Sequence, residues 1–408
     1  DNLFMIEKKD RDILIRVTTL PISMNILLRN QLRFMSDYFE VIGVSSYDKK
    51  HFTEIENREG IYMHSIEMTR SITPFRDIVA FLKMYRLFQK IKPAIVHSHT
   101  PKAGLIAMLA AALSGVPVRL HTLAGLPLVE SKGIKRSLLT FCERLTYFCA
   151  HRIYPNSRGL FNYVSNMKLC NPDKLKLIGN GSSNGIDTNN FDPQVVVRET
   201  SLDRQEIRKS LNIPNEVCVF CFVGRLVKDK GIKELIEAYM KLNQDAPQDS
   251  RLLLIGPLGS ERDNTREAIK SAVLLNSKII YAGRHDDIRP YLAASDIFVF
   301  PSYREGFPNA VLQAGAMGLP CIVTDIPGSN EIIINNQNGL IVSVKDKDQL
   351  FSAMLQLLSD ANLRKYLSNN SRSMIVNRYQ QRPLWAALLE DYRSLLRAIT
   401  PPNCLRKD

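Results

Sequence analysis

The sequence predicts an α/β protein made of two domains, each folded around a parallel sheet, and three observations carry that expectation. The first is length: 408 residues exceed what one hydrophobic core holds and suit two domains of about 200 residues each. The second is the alternation of short apolar runs, rich in strand formers, with stretches of helical period along the whole chain. The third is one segment, Asp296 to Ile333, that reads as a complete strand, loop, helix and strand. Composition agrees, since 45% hydrophobic and 23% charged residues are values of a folded soluble protein.

The first half opens on a strand at Ile13 to Thr18, and Leu20 to Met24 leads into an amphipathic helix carrying Leu27, Leu28, Leu32 and Met35. A dinucleotide-binding turn would read G-x-G-x-x-G here, and Thr18 to Asn25 holds no glycine, which argues against a nicotinamide cofactor. Val41 to Ser45 is the second strand. Ile72 to Lys92 is a helix with Phe81, Leu82, Tyr85 and Phe88 on one side and Arg76, Lys83, Arg86 and Lys90 elsewhere. It reads either as a core-facing helix with a solvated basic face or as one that touches anionic lipid. Ala94 to His99 is a strand ending in H-S-H-T-P-K-A-G; His97 and His99 alternate as metal ligands can, but no third ligand follows, so hydrogen bonding at the strand end is preferred. Ala103 to Val118 is short for a bilayer, contains Gly115 and Pro117, and reads as a buried helix.

A strand beginning at Val118 ends in His121 and Thr122 before Gly125, and a second basic and apolar helix runs from Lys132 to Arg152 with Leu138, Leu139, Cys142, Leu145 and Phe148. Ile153 to Asn156 is a strand, and the glycine-rich stretch Leu177 to Asp187 turns into a polar connection. The domain boundary is placed near residue 190, with residues 1–190 and 191–379 as the two domains. The C-terminal segment 380–408 is helical over Pro383 to Ile399 and carries Trp385.

In the second half, a helix over Leu202 to Leu211 precedes the strand Val217 to Val223 and the loop Gly224-Arg225-Leu-Val-Lys228-Asp-Lys230-Gly231. Two cations at the carboxyl end of a strand, before a helix, are what a departing diphosphate needs; the alternative is basic residues merely solvated. Leu252 to Gly256 and Ile279 to Gly283 are further strands, and a helix opens near Asp286. Within the segment from Asp296, the strand Ile297 to Phe300 stops at Pro301, Asn309 caps a helix running to about Met317, and Cys321 to Thr324 resumes as strand. Ligands of parallel sheets bind beyond the carboxyl ends of strands, where Arg304 to Asn309 fall. Glu305 can accept sugar hydroxyls there, free N–H groups at the helix start favour an anion, and Gln313 lies one turn further. The bland alternative makes Glu305 a solvated loop acid and Gln313 ordinary helix surface. Asp346 and Asp348 precede an apolar run and read as helix-start acids rather than metal ligands.

The run E-G-F-P-N-A-V-L-Q from Glu305, followed by A-G-A-M-G-L-P-C-I-V-T-D, resembles the donor motif of the retaining family-4 glycosyltransferases. V-G-R-L-V-K-D-K-G and G-N-G-S-S-N-G-I-D resemble the family's phosphate-binding segment and interdomain turn, and H-S-H-T-P-K-A-G and V-R-L-H-T-L-A-G-L-P resemble segments of the members that build bacterial capsule, O-antigen or exopolysaccharide. The resemblance implies the GT-B fold: two Rossmann-like domains facing a cleft, the last helix packing back on the first, and no metal or cofactor needed for catalysis. It assigns the donor to Gly224, Arg225, Lys230, Glu305, Gly306, Phe307, Pro308, Asn309, Gln313 and Gly328, with Lys228 as the rival lysine. Catalysis would rest on Glu305, Arg225, Lys230 and His121, the last reaching the donor sugar. The first domain would take the acceptor near Thr19, Ser23, His99 and Lys102. The family pattern has a second glutamate where this chain has Gln313, which keeps an acceptor atom for a ribose hydroxyl but loses charge assistance of about 1 kcal/mol.

The net charge of +13 and a pI near 9.4 call for an anionic partner. Neither a zinc-finger spacing nor an RNA-recognition signature is present, so the inner membrane surface and phosphates are preferred to nucleic acid. Seven scattered cysteines suit a reducing compartment, Cys218 and Cys221 read as core, and Asp1 to Val17 lacks the pattern of a signal peptide, so a cytoplasmic, peripheral location is expected. The expected function is retaining transfer of a sugar, from a UDP-sugar by family habit, to a lipid-pyrophosphate-linked or glycan acceptor. A non-catalytic sugar-nucleotide-binding scaffold and a nucleotide-sugar epimerase on the same fold are the alternatives.

Overall fold

The computed structural model describes residues 11–129, 131–200, 203–259 and 265–399. The extreme ends of the chain named above, 1–10 and 400–408, lie outside the described residues, as does Leu202. The chain divides into two units, one running to Asn184 and regaining the segment from Gln381, the other spanning Gly185–Gln380.

In the first unit the strand formers segregate by the two-residue period of a strand. Along β1 (Ile13–Val17), Leu14 faces one apolar cluster while Ile15 and Val17 face the other, so both faces of the sheet are covered. The chain continues through α1 (Pro21–Leu27), α2 (Gln31–Ser36), β2 (Glu40–Ser45), α3 (Lys49–Glu59), β3 (Tyr62–Ser65), α4 (Pro74–Ile91) and β4 (Ile95–Ser98). It closes with α5 (Pro101–Leu113), β5 (Val118–Leu123), α6 (Gly133–Cys149), β6 (Arg152–Pro155) and α7 (Arg158–Asn166). The sheet has the order β3-β2-β1-β4-β5-β6 with every pair parallel. Helices α4, α5 and α6 cover one face; α1, α2 and α3 cover the other together with the last helix, α17 (Gln381–Ile399). Trp385 anchors α17 by donating to Asn184 Oδ1 at 2.8 Å, and buried Asp391 accepts from the Tyr154 hydroxyl at 2.7 Å.

Three local expectations needed correction. The single helix expected after Leu20 is two, α1 and α2, because Asn30 adopts a left-handed φ of 64° that ends helical progress between them. Helix α3 and strand β3 were not foreseen, their polar sequences giving little periodicity. On α4, Leu82 points to solvent; Ala80, Met84, Leu87 and Phe88 make the buried face.

The second unit runs α8 (Pro193–Thr200), α9 (Arg204–Ser210), β7 (Cys218–Val223), α10 (Ile232–Asp245), β8 (Ser250–Ile255), α11 (Thr265–Leu275) and β9 (Ile279–Gly283). It continues with α12 (Arg289–Ala293), β10 (Ile297–Phe300), α13 (Asn309–Ala316), β11 (Cys321–Thr324), α14 (Ser329–Ile332), β12 (Gly339–Val342), α15 (Lys347–Ser359) and α16 (Ala361–Tyr379). Its parallel sheet has the order β12-β11-β10-β7-β8-β9, so the winding reverses between β7 and β10. Asp296 fixes the start of β10, accepting from Arg208 at 2.7 Å and from the Val219 amide at 2.8 Å. Asp346 caps α15 through the amides of Asp348 and Gln349. Asn309 does not cap α13; it is the first helical residue, Pro308 holds the cap position, and no side chain bonds there. Among the described residues no helix is long and apolar enough to cross a membrane.

Candidate functional site

Parallel α/β sheets expose a crevice where the strand order reverses, at the carboxyl ends. In the second unit those ends belong to β7 and β10, which place the Gly224–Gly231 loop beside the Pro301–Pro308 loop. Two backbone and side-chain ties hold the loops together: the Tyr303 amide donates to the Asp229 carbonyl at 2.8 Å, and Arg304 grips the Asp229 carboxylate at 2.9 and 3.1 Å. Gly231 is required at this junction. Its φ is 68°, and a Cβ there would lie 2.0 Å from the Pro301 carbonyl oxygen.

Inside this frame Lys230 Nζ forms an ion pair with Glu305 Oε1, and both side chains are largely sheltered. Buried Ser302 donates to the same carboxylate oxygen at 2.9 Å, and Lys230 sits 5.6 Å above the Phe300 ring. The carboxylate and the ammonium are therefore fixed side by side at the mouth of the sheet. Arg225 is exposed one residue beyond Gly224. Lys228 is exposed at the start of a tight turn, so the structure brings Lys230 rather than Lys228 to Glu305. A third strand end completes the surround. Gly328, after β11, has φ 80°, and a Cβ on it would meet the Gly306 carbonyl oxygen at 2.6 Å and Phe307 Cα at 2.9 Å. The Glu305 loop is thus backed by the Gly328 turn at van der Waals distance.

The remaining second-unit residues divide. Gly306, Pro308 and Asn309 belong to this loop and helix start, and Gln313 is half-buried one turn into α13. Phe307 does not present its ring to the loop surface: it is buried edge-on against Tyr379 at 5.5 Å and is a core side chain. Asp229, Ser302 and Phe300 escaped the sequence reading. Ser302, two residues past the strand end and three before Glu305, was the one visible signal of an anchor for that carboxylate.

In the first unit His121 is buried at the end of β5, with Nδ1 2.9 Å from the Ser98 hydroxyl and its ring against Gly104, where a Cβ would come within 2.5 Å of Cε1. Burial pushes its pKa down to about 4, so it is a neutral hydrogen-bonding group at pH 7. His97 bonds the hydroxyls of Tyr392 and Thr122, as hydrogen bonding at a strand end requires. His99 is buried and accepts from Arg16 Nε at 3.0 Å, and burial holds both imidazoles well below their ordinary pKa. Arg16 is itself fully buried and also donates to Gln31 at 2.6 Å; its only sequence signal was one cation inside an apolar strand. Thr19 is nearly buried, with its hydroxyl 2.7 Å from that of Thr100, which ties β1 to the start of α5. Lys102 is engaged with Asp77 at 2.7 Å, Thr73 at 3.2 Å and the Ser71 carbonyl, holding the loop before α4. Ser23 is half-buried in α1.

Comparison with known proteins follows the same division. The model described as "Glycosyl transferases group 1" matches residues 203–374, and "Glycosyl transferase 4-like" matches residues 16–157. The Staphylococcus aureus capsular polysaccharide biosynthesis glycosyltransferase CapM is 32% identical over 91% of this chain and 94% of its own. An Escherichia coli UDP-Gal:alpha-D-GlcNAc-diphosphoundecaprenol alpha-1,3-galactosyltransferase is 30% identical over 76% and 78% of the two chains. The solved structure of Anabaena HepE in complex with UDP superposes with a TM-score of 0.77 at 17% identity, covering 94% of this chain and all of that one. With both sheets, the reversed strand order and a relative matched along nearly its whole length, the chain belongs to the group 1 and 4-like glycosyltransferases and has their two-domain GT-B fold.

Proposed function

We propose that this glycosyltransferase moves a sugar from a UDP-sugar, with retention of anomeric configuration, to a lipid-pyrophosphate-linked glycan acceptor during assembly of a cell-surface polysaccharide. The observation that carries the reading is the Lys230 and Glu305 pair at the carboxyl ends of β7 and β10, with exposed Arg225 in the same loop as Lys230. Lys230 and Arg225 are proposed to take the diphosphate, whose leaving charge they neutralise, and Glu305 to accept hydroxyl hydrogen bonds from the sugar. The Glu305 carboxylate also holds Lys230 in place until a phosphate competes for it. His121, neutral at pH 7, is proposed as a hydrogen-bonding contact to the sugar, and the region of Thr19, Ser23, His99 and Lys102 as the acceptor side.

The proposed chemistry is a same-face displacement. The bond from the anomeric carbon to phosphate oxygen breaks while the acceptor oxygen bonds that carbon, and the acceptor hydroxyl proton passes to the departing phosphate. It involves no metal step. Supporting the donor and acceptor classes are the E. coli relative, whose name specifies UDP-galactose and a diphosphoundecaprenol-linked sugar, and the UDP bound to HepE. The protein is accordingly proposed to work in the cytoplasm, peripherally on the anionic inner face of the membrane. Incubation with a UDP-sugar and a short-chain polyprenyl-pyrophosphate sugar, followed by NMR of the new linkage, tests the reading. The donor's anomeric configuration is expected in the product; an inverted anomer overturns the mechanism.

A further inference from the structure

Helix α8 of the second unit carries three successive valines, Val195 to Val197. Val196 is buried in the core, whereas Val197, one position on, is 45% exposed and stands at a cavity of about 430 Å³. That volume falls within the roughly 300–1,000 Å³ of small-molecule sites. The cavity is enclosed by α8, α9, α12, the turn from α13 to β11, and α16, all of this unit. Its floor is apolar, with Ile207, Leu292, Met317 and Leu319 each less than a tenth exposed. Asp296 and Leu319 place it at the amino ends of β10 and β11, opposite the carboxyl ends that carry Glu305 and Gly328. It is therefore no part of the donor crevice.

Charge indicates what fills it. Arg204, Arg364 and Lys365 line the cavity against one carboxylate, that of Asp296, which leaves a net charge of +2. Asp296 is already taken: it accepts from Arg204 at 2.5 Å and from Arg208 at 2.7 Å. Arg204 also donates to the Ala293 and Ser295 carbonyls, each at 2.8 Å, so its guanidinium is fixed in the wall before any ligand arrives. Arg364 uses Nη1 on the Leu357 and Leu358 carbonyls at the end of α15, while its Nε and Nη2 make no hydrogen bond among the described residues. Lys365 is exposed and makes none among them either. A carboxylate ligand would bring one negative charge, whereas a phosphate monoester brings close to two at neutral pH and suits paired donors of guanidinium. The apolar floor asks for an aliphatic or ring body joined to that head. Strands β10 and β11, four residues each, run from the cavity to the donor loop, where Thr324 at the end of β11 donates to the carbonyl of Ser302, the anchor of Glu305.

We propose that this cavity is an effector site for a phosphate monoester of a small apolar or ring-bearing molecule, its phosphate on Arg364 and Lys365 and its body on the Ile207, Leu292 and Leu319 floor. The site itself does not rest on the donor reading; its effect on UDP does. The test is calorimetric titration of the full chain with phenyl phosphate and with geranyl phosphate, each with and without excess UDP, against inorganic phosphate, phenol and geraniol. At least one ester is expected to bind saturably in the presence of UDP, about tenfold or more tighter than inorganic phosphate or its own alcohol. Lys365→Glu reverses a charge of the lining and Val197→Trp fills the space beside the floor. Each is expected to weaken that binding about tenfold or more, with circular dichroism and UDP affinity in the absence of ester unchanged. Absence of saturable ester binding overturns the proposal. So do esters no tighter than phosphate or alcohol, and variants that bind as the parent does. Filling the cavity is expected to shift UDP affinity about fivefold; ester binding that leaves it unchanged upholds the site and overturns the effector role. Ester binding to a parent that binds no UDP upholds the site and sinks the donor reading instead.

Discussion

Replacing Glu305 by Gln separates two roles that the Lys230 and Glu305 pair combines. The shape is kept, Ser302 can still donate to the amide oxygen, and only the charge facing Lys230 is lost. Both side chains are about 15% exposed, at 15% and 16%, so the pair lies between a surface ion pair and a buried one. Folding stability is expected to fall by about 1–2 kcal/mol, between the values usual for those two limits. Turnover loses charge-assisted bonds to the sugar worth about 2–3 kcal/mol, roughly 30- to 150-fold in kcat/KM. Binding of UDP alone moves the other way. Lys230, released from its carboxylate, is free for the diphosphate, so affinity is expected to stay level or rise by up to about tenfold. Initial rates with a UDP-sugar and calorimetric titration with UDP read the two effects separately. A fall in UDP affinity parallel to the fall in turnover would refute the reasoning, because Glu305 would then be holding the nucleotide.

Three further outcomes follow from the same geometry. Gly328→Ala puts a methyl group 2.6 Å from the Gly306 carbonyl at a left-handed φ, so a loss of about 1–3 kcal/mol in denaturant stability and a displaced Glu305 loop with reduced turnover are expected. Gln313→Glu returns charge assistance for a ribose hydroxyl and is expected to tighten UDP binding about fivefold, measured by titration. Two buried groups pull stability in opposite directions with pH. Burial lowers His121 to about 4 from 6.5, so the unfolded chain binds a proton that the folded one refuses, and stability drops as pH falls from 6.5 towards 4. Burial raises Glu143 to about 7 from 4.5, so the folded chain keeps a proton that the unfolded one releases, and stability drops as pH rises from 4.5 to 7. Each effect is at most about 3 kcal/mol. Denaturation of Glu143→Gln across pH 4 to 8 should show a variant more stable than the parent at pH 7 and above, and more steeply weakened by acid; a profile identical to the parent's contradicts the assignment.

Five of the six strands of the second unit were legible because each is a short apolar run between breakers; β12, Gly339–Val342, was not foreseen. Ile297–Phe300 ends at Pro301, and Cys321–Thr324 starts after Gly318 and Pro320, so pattern and boundary agree. Sequence also located Glu305, since a lone acid at a strand's end precedes a helix. Residue type and spacing alone could not rank Lys228 against Lys230; the family resemblance favoured Lys230. Their separation is decided by a tight turn that exposes the first and points the second at Glu305. Nor could it see that Phe307, within the same motif, is spent on Tyr379, a residue 72 positions away. In the first unit the period of α4 was misjudged because it has two apolar faces. The inward one, with Met84 and Phe88, and the outward one, with Phe75 and Leu82, blur into one apolar helix when read as sequence.

The central claim is that the loops after β7 and β10 bind a nucleoside diphosphate through Arg225 and Lys230. Calorimetric titration with UDP, GDP, ADP and NAD, on the parent protein and on Arg225→Ala and Lys230→Ala, tests it most directly. The account predicts selective UDP binding that weakens by about tenfold or more in each variant, the loss of one charge-assisted phosphate contact. Absence of nucleotide binding by the folded parent, or UDP binding indifferent to both substitutions, contradicts it.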